Sequence, residues 1–274
     1  MTPPAIYGRD AELEQLRQLI SRRRSFLLHG PAGVGKTLLL KHLADAAPMM
    51  LVCDESSSSQ TVFRTLAAGL FARKNRHVLQ AARVGTGDLA RPSRAQLGSC
   101  LPSQQFWIRH SGLNAIKNKS AVSIRGIVAA ALRDSSYWIV LDHLQSSSQS
   151  FAASLKEVCL ATATPLLAVA RSAHMEDVGF LLPMFSDHSE KFALRNFDAG
   201  RAKDFALRIA QDMQLNAANR DVAIQKIVHY SKGNPGAILA MLAMAASPKY
   251  LAGRHVKLAP LYIDFRLRWD ATHG

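Results

Sequence analysis

Short apolar runs alternate with amphipathic stretches along most of the chain, and the alternation predicts strands and helices in turn. Leu13, Leu16, Leu19 and Ile20 recur at helical spacing behind a turn at Gly8. Phe26, Leu27 and Leu28 form a short apolar strand, and a helical pattern led by Leu38, Leu39 and Leu40 then runs to a stop at Pro48. Residues 49–53 read as a second buried strand, 61–73 as a helix behind the polar connector 55–60, and 123–132 as a further helix. The strand 137–141 runs into Asp142, the helix 151–161 follows, and the strand 165–170 ends at Arg171. Residues 180–185 are expected to pack against a helix edge, 192–197 to form the last strand, and 200–215 and 219–231 to be helices. Strand and helix in such succession predict an α/β fold, a parallel sheet with helices on both faces, followed by a run of helices.

Two stretches escape this pattern. Residues 74–120 carry Gly85, Gly87, Pro92, Gly98, Pro102 and Gly112 around one apolar cluster, Phe106-Trp107-Ile108, and read as an insertion of short helices or a loop. The tail from Tyr250 to Trp269 alternates only loosely, which leaves open whether it adds a strand or packs on the preceding helices. The expected organisation is therefore a core over 1–197, a small helical lid over 198–248 and a tail over 249–274.

Between the first strand and the Leu38 helix lies Gly30-Pro31-Ala32-Gly33-Val34-Gly35-Lys36-Thr37, a full match to G-x-x-x-x-G-K-[ST]. Its glycines let the backbone adopt positive φ and bring successive N–H groups close to an anion, and the following helix adds the positive end of its dipole. Lys36 can reach β- and γ-phosphate oxygens, and the Thr37 hydroxyl can ligate a Mg²⁺ that bridges them. A glycine-rich turn is the alternative, but the strand before and the helix after favour a phosphate-binding loop. Downstream, the carboxylate of Asp142 ends an apolar strand at the sheet edge, where it can hold the water shell of the same ion beside Thr37.

Ile6-Tyr7-Gly8-Arg9 with Glu12-Leu13, the phosphate loop, the strand ending in Asp142 and the turn Gly233-Asn234-Pro235 follow one another in a set order. Together they resemble the AAA+ ATPases, especially the origin-recognition-like group and the STAND (signal-transduction NTPase) branch. The resemblance implies a P-loop NTPase fold, a three-layer αβα parallel sheet with a small helical lid, and ATP and Mg²⁺ as ligand and cofactor. It assigns Ile6 and Tyr7 to the adenine pocket, residues 30–38 including Leu38 to the phosphates, and Pro235 to a lid contact with the nucleotide. By its own chemistry Gly233-Asn234-Pro235 is also a helix C-cap, a turn and the next helix start. Arg171 looks like the arginine that reaches the γ-phosphate in STAND proteins, against the alternative of a solvated arginine at a strand end. At position 143 the families usually carry Glu or a second Asp, and this chain has His143. A neutral imidazole, with an ordinary pKa of about 6.5, accepts the proton of an attacking water only weakly, so either a structural histidine or a slow catalyst is expected. The reading is a slow Mg-dependent ATPase acting as a nucleotide-controlled switch or helper. A DNA-associated helper of replication or transposition and a hydrolysis-deficient ATP-binding signalling scaffold are the alternatives.

Charge adds a partner to this picture. The net charge is +14, and from Thr61 to Arg125 eleven cations (Arg64, Arg73, Lys74, Arg76, Arg83, Arg91, Arg94, Arg109, Lys117, Lys119 and Arg125) face the single acid Asp88. Interleaved with Phe106 and Trp107, this 61–125 segment suits phosphate tracking and base stacking, so nucleic acid is one candidate partner, beside a solvated face or an acidic partner protein. A nucleotide-dependent oligomer is a further expectation. Cys53, Cys100 and Cys159 are far apart and form no C-x-x-C pair, so neither a disulfide framework nor a zinc knuckle is indicated. No apolar run approaches the roughly 18 residues of a membrane span, and the start Met1-Thr2-Pro3-Pro4 has no secretory pattern, so a cytoplasmic protein without a membrane partner is expected.

Overall fold

The computed structural model describes residues 6–54, 58–84, 119–133 and 135–273. A five-stranded sheet runs in the order β2-β3-β4-β1-β5, from β1 (Phe26–His29), β2 (Met50–Cys53), β3 (Trp138–Leu141), β4 (Leu166–Ala170) and β5 (Lys191–Ala193). The central pairs are parallel, with Val140 opposite Val52 on one side and Leu167 on the other. Every residue of β3 and β4 is buried, as strands covered on both faces require. The expected α/β architecture, a parallel sheet flanked by helices, is thus the observed one. No helix among the described residues is long and apolar enough to cross a membrane.

The chain divides into two compact units. One comprises Arg22–Leu28 and Ala46–Phe192 and holds most of the sheet with helices α3 (Ser59–Ala72), α4 (Arg76–Val84), α5 (Ala121–Arg133) and α6 (Gln149–Thr162). Its core joins Leu51, Ile139 and Leu166 of the sheet to Phe63 and Leu66 of α3, Val128 of α5 and Leu155 of α6. Phe26 and Trp138 meet edge to face, centroids 5.9 Å apart at 69°, a pairing worth about 0.5–1.5 kcal/mol beyond its burial. Ser58 caps α3 by accepting the Thr61 N–H at 3.1 Å. The segment read as short helices or a loop opens with α4, which Asn75 starts by accepting the His77 N–H and which buries Val78 and Ala82 one turn apart. Its cations hid that stripe in the sequence. Residues 85–118, with Arg91, Arg94, Phe106, Trp107, Arg109 and Lys117, lie outside the described residues.

The other unit comprises Met1–Ser21, His29–Asp45 and Ala193–Gly274. It holds α1 (Asp10–Ser21), α2 (Lys36–Ala46) but for its last residue, and α7 (Ala199–Asp212), α8 (Arg220–Ser231), α9 (Pro235–Ala245) and α10 (Leu258–His273). Ala202, Ala206 and Ala210 give α7 a flat face against Ile224 and Ile227 of α8 and Ile238, Met241 and Leu242 of α9. The tail does both things left open for it. A two-residue ladder pairs β6 (Leu251–Ala252) with β7 (His255–Val256), and α10 then packs on the lid helices through Leu261 and Phe265. Tyr262 stacks on Tyr230 at 4.3 Å, and Trp269 on Phe265 at 5.2 Å.

Candidate functional site

The loop at residues 30–37 leaves β1 and turns into α2, with Gly33 at φ +74° and Gly35 at φ +103°. A Cβ on Gly30 would collide with the Leu194 carbonyl oxygen, whereas one on Gly35 would meet nothing within 4 Å. Glycine is thus needed at 30 for close approach and at 35 for backbone conformation.

The carbonyls of the loop are all engaged. Lys36 Nζ donates to Gly30 O at 2.6 Å and Pro31 O at 3.0 Å, and Asn234 Nδ2 donates to Ala32 O at 2.8 Å. The Gly236 N–H donates to Gly33 O at 2.9 Å, and Arg9 Nη2 to Val34 O at 3.1 Å. Among the described residues no peptide bond is cis, and in a trans peptide the N–H points opposite to its C=O. The donors on Ala32 O and Val34 O therefore aim the N–H groups of Gly33 and Gly35 away from them, while the Val34 N–H donates to Pro31 O at 3.4 Å. The α2 helix adds its positive end and Lys36 its ammonium, so the donor set fits a polyphosphate.

Arg9 is the support beneath the loop. The residue is 5% exposed, and its guanidinium donates to Arg195 O at 2.8 Å as well as to Val34 O, pairs with Glu12 at 2.8 Å and lies over the Phe197 ring at 4.2 Å. Burial pushes the Arg9 pKa down, and its hydrogen bond to Glu12 opposes that shift. Arg201 Nη1 donates to the same oxygen, Glu12 Oε1, at 3.2 Å. Ile6 and Tyr7 precede this anchor half-buried, and Arg208 lies over the Tyr7 ring at 4.4 Å.

The lid reaches the loop through its first turn. Gly233, at φ +71°, sits where a Cβ would strike the Phe197 carbonyl oxygen. Asn234 caps α9 by accepting the Ala237 N–H at 3.1 Å, and Pro235 occupies the first helical position, where no N–H is required. Leu38, in the first turn of α2, is 38% exposed.

The other expected site residues belong to the unit that holds Ala46–Phe192. Asp142 follows β3 with 1% exposure, its N–H donating to Cys53 O. His143 takes φ +54°, donates its N–H to Asp142 Oδ1 at 2.9 Å, and brings Nε2 to 3.6 Å from Oδ2 with its side chain 64% exposed. Arg171 is exposed at the end of β4, beside β3 and parallel to it. Burial pushes the thiols of Cys53 and Cys159 up to about 12, which makes both inert; Cys100 lies outside the described residues.

Sequence reasoning did not single out Arg9, Asn234 or Trp269 as site residues. Asn before Pro was legible as a helix cap, but the second partner of its amide was not. Arg9 was visible only as part of a motif, because the carbonyls it serves come from segments distant in sequence.

Residues 5–169 match the family described as "AAA ATPase domain". Among solved structures, the chain is similar to Cdc6p from Pyrobaculum aerophilum at 12% identity and TM-score 0.56, covering 90% of this chain and 63% of that one. It is similar to the Aeropyrum pernix ORC1 protein, solved in complex with DNA, at 14% identity and TM-score 0.53, covering 97% of this chain and 66% of that one. A STAND protein with a tetratricopeptide repeat sensor from Pyrococcus horikoshii is similar at 13% identity and TM-score 0.50, with 97% of this chain and 33% of that one covered. The chain thus spans just under two thirds of the two origin-type proteins and a third of the STAND protein. No curated protein matches the chain in sequence.

Proposed function

Since this chain belongs to the AAA ATPase domain family, we propose that it binds MgATP at residues 30–37 and hydrolyses it slowly, as a nucleotide-controlled switch or helper. The observation that carries this reading is the set of donors on the loop carbonyls, with Asn234 on Ala32 O and Arg9 on Val34 O leaving the N–H groups of Gly33 and Gly35 turned the other way. Ile6 and Tyr7 take the adenine side, Pro235 closes from the lid, and Lys36 moves from the loop carbonyls to the phosphates. The hydroxyl of Thr37 and the carboxylate of Asp142 are the hard oxygen donors that would hold Mg²⁺, which when bound offsets charge on the phosphate oxygens. Arg171 is assigned to the γ-phosphate. His143 stands where the resemblance expects an acidic residue to orient the attacking water, and that departure is the ground for slow turnover.

Calorimetric titration of wild type and Lys36→Ala with MgATP tests the site: loss of affinity in the variant is expected, and equal affinity would remove the assignment.

A second reading, association with nucleic acid, is favoured by the charge of the 61–125 segment and by similarity to an ORC1 protein solved with DNA. Some of those cations have other work. Arg73 donates to the carbonyls of Pro48, Met50 and Gly69, and Arg125 pairs with Glu157 at 3.2 Å. A salt titration of DNA binding tests this reading: each phosphate contact contributes a slope of about −0.9 on B-DNA, and no binding at low salt would leave a protein-binding switch or signalling scaffold.

A further inference from the structure

Asn234 does more than a cap requires. Capping α9 uses only Oδ1, and aspartate or serine would serve there as well. The amide nitrogen instead donates to Ala32 O at 2.8 Å and to Asn196 Oδ1 at 3.2 Å, with the whole residue 8% exposed. Asn196 in turn donates to Lys232 O at 3.2 Å, so the carboxamide is held from both sides. Lys36, the donor to Gly30 O and Pro31 O, is a flexible side chain that can leave those carbonyls for a phosphate. Asn234 sits at the start of a packed helix and is 8% exposed.

We propose that Asn234 is a positioning residue for the phosphate loop. Its Nδ2 holds the Ala32 carbonyl outward, which keeps the N–H of Gly33, the other end of the same peptide, aimed into the concave side. The adjacent peptide is held at both ends, by the Gly236 N–H on Gly33 O at 2.9 Å and by its own Val34 N–H donating to Pro31 O at 3.4 Å. The lid therefore contributes to anion affinity through the shape of the loop, at a place distinct from the proline contact. This inference rests on the reading of residues 30–37 as the MgATP site.

The test uses Asn234→Asp and Asn234→Ser, which both keep an oxygen for the Ala237 N–H and both lack the Nδ2 donor. Dissociation constants for MgATP and for inorganic pyrophosphate are measured beside the thermal midpoint. Both ligands are expected to bind about three- to tenfold more weakly to both variants, the range of one lost hydrogen bond, with the midpoint almost unchanged. Pyrophosphate matters because it needs the loop and not the adenine pocket. Equal binding by both variants would overturn the proposal, since capping alone would then explain Asn234. So would a loss confined to Asn234→Asp, which would be charge repulsion. If one variant loses its melting transition, the other decides. Wild type that binds neither ligand overturns the assignment of the site and this inference with it, whereas wild-type binding matched by Asn234→Ser removes only the role of Asn234.

Discussion

The indole of Trp269, near the end of α10, lies on Gly33 in the middle of the phosphate loop. A Cβ built on Gly33 would meet Cη2 of that ring at 2.7 Å and Asn234 Oδ1 at the same distance. The loop is therefore enclosed on this side by the lid and by the C-terminal helix, and its conformation is coupled to the packing of both.

Gly33→Ala should be costly for two separable reasons. Gly33 has φ +74°, which an L side chain resists by about 1–2 kcal/mol, and the new methyl group would also displace Asn234 or Trp269. Gly35→Ala meets only the first cost, since nothing lies within 4 Å of its Cβ position. Thermal unfolding should rank Gly33→Ala below Gly35→Ala. Adding Trp269→Ala should not rescue Gly33→Ala fully, because the clash with Asn234 remains.

Arg9→Lys is expected to behave almost like Arg9→Ala. The guanidinium serves Val34 O, Arg195 O and Glu12 at once and stacks on Phe197, a geometry that an ammonium cannot reproduce. Either change should destabilise the fold by roughly 1.5–3 kcal/mol, the range for a hydrogen bond to a charged group, and not more, because Arg201 still partners Glu12. Denaturant unfolding measures the loss, and MgATP titration should show weaker binding as the Val34 carbonyl is released. A lysine variant equal to wild type in both would show that charge alone matters.

Cys53 and Cys159 should stay silent to a thiol reagent in the folded state. Burial raises both pKa values to about 12, so both remain neutral thiols at a pH where an exposed cysteine, near 8.5, is partly thiolate. The sign of the linkage follows. Their contribution to stability is fully present below the ordinary thiol range and is lost as the pH climbs through it towards about 12. With Cys100 replaced by Ser, labelling at mildly alkaline pH should appear only on unfolding; rapid labelling of native protein would show that these positions open.

The strands and the phosphate loop were legible because their signals are local. Phe26-Leu27-Leu28 before the loop and Trp138-Ile139-Val140-Leu141 before Asp142 are continuous apolar runs, as strands buried on both faces must be. The C-terminal helix was not legible, because Leu261 and Phe265 face the lid while Ile263 and Leu267 are exposed, which leaves no clean apolar stripe. Trp269 on Gly33, Arg9 under Val34 and Asn234 on Ala32 are contacts between distant segments. No periodicity encodes them. Helix α4 lay between these cases: Val78 and Ala82 form a genuine stripe, but neighbouring cations diluted it.

The proposed slow turnover of ATP rests on His143. Its positive φ and the hydrogen bond from its N–H to Asp142 Oδ1 occupy one oxygen of the carboxylate assigned to the metal, while the ring stays largely exposed. That backbone bond does not depend on the side chain, so His143→Glu should preserve the local turn apart from the modest cost of positive φ, and it would supply a general base. Phosphate release is expected to rise in His143→Glu and to vanish in Asp142→Ala, with Thr37→Ala mainly weakening the Mg²⁺ dependence. Fast wild-type turnover that His143→Ala leaves untouched would assign the attacking water to another residue and withdraw the slow-switch reading.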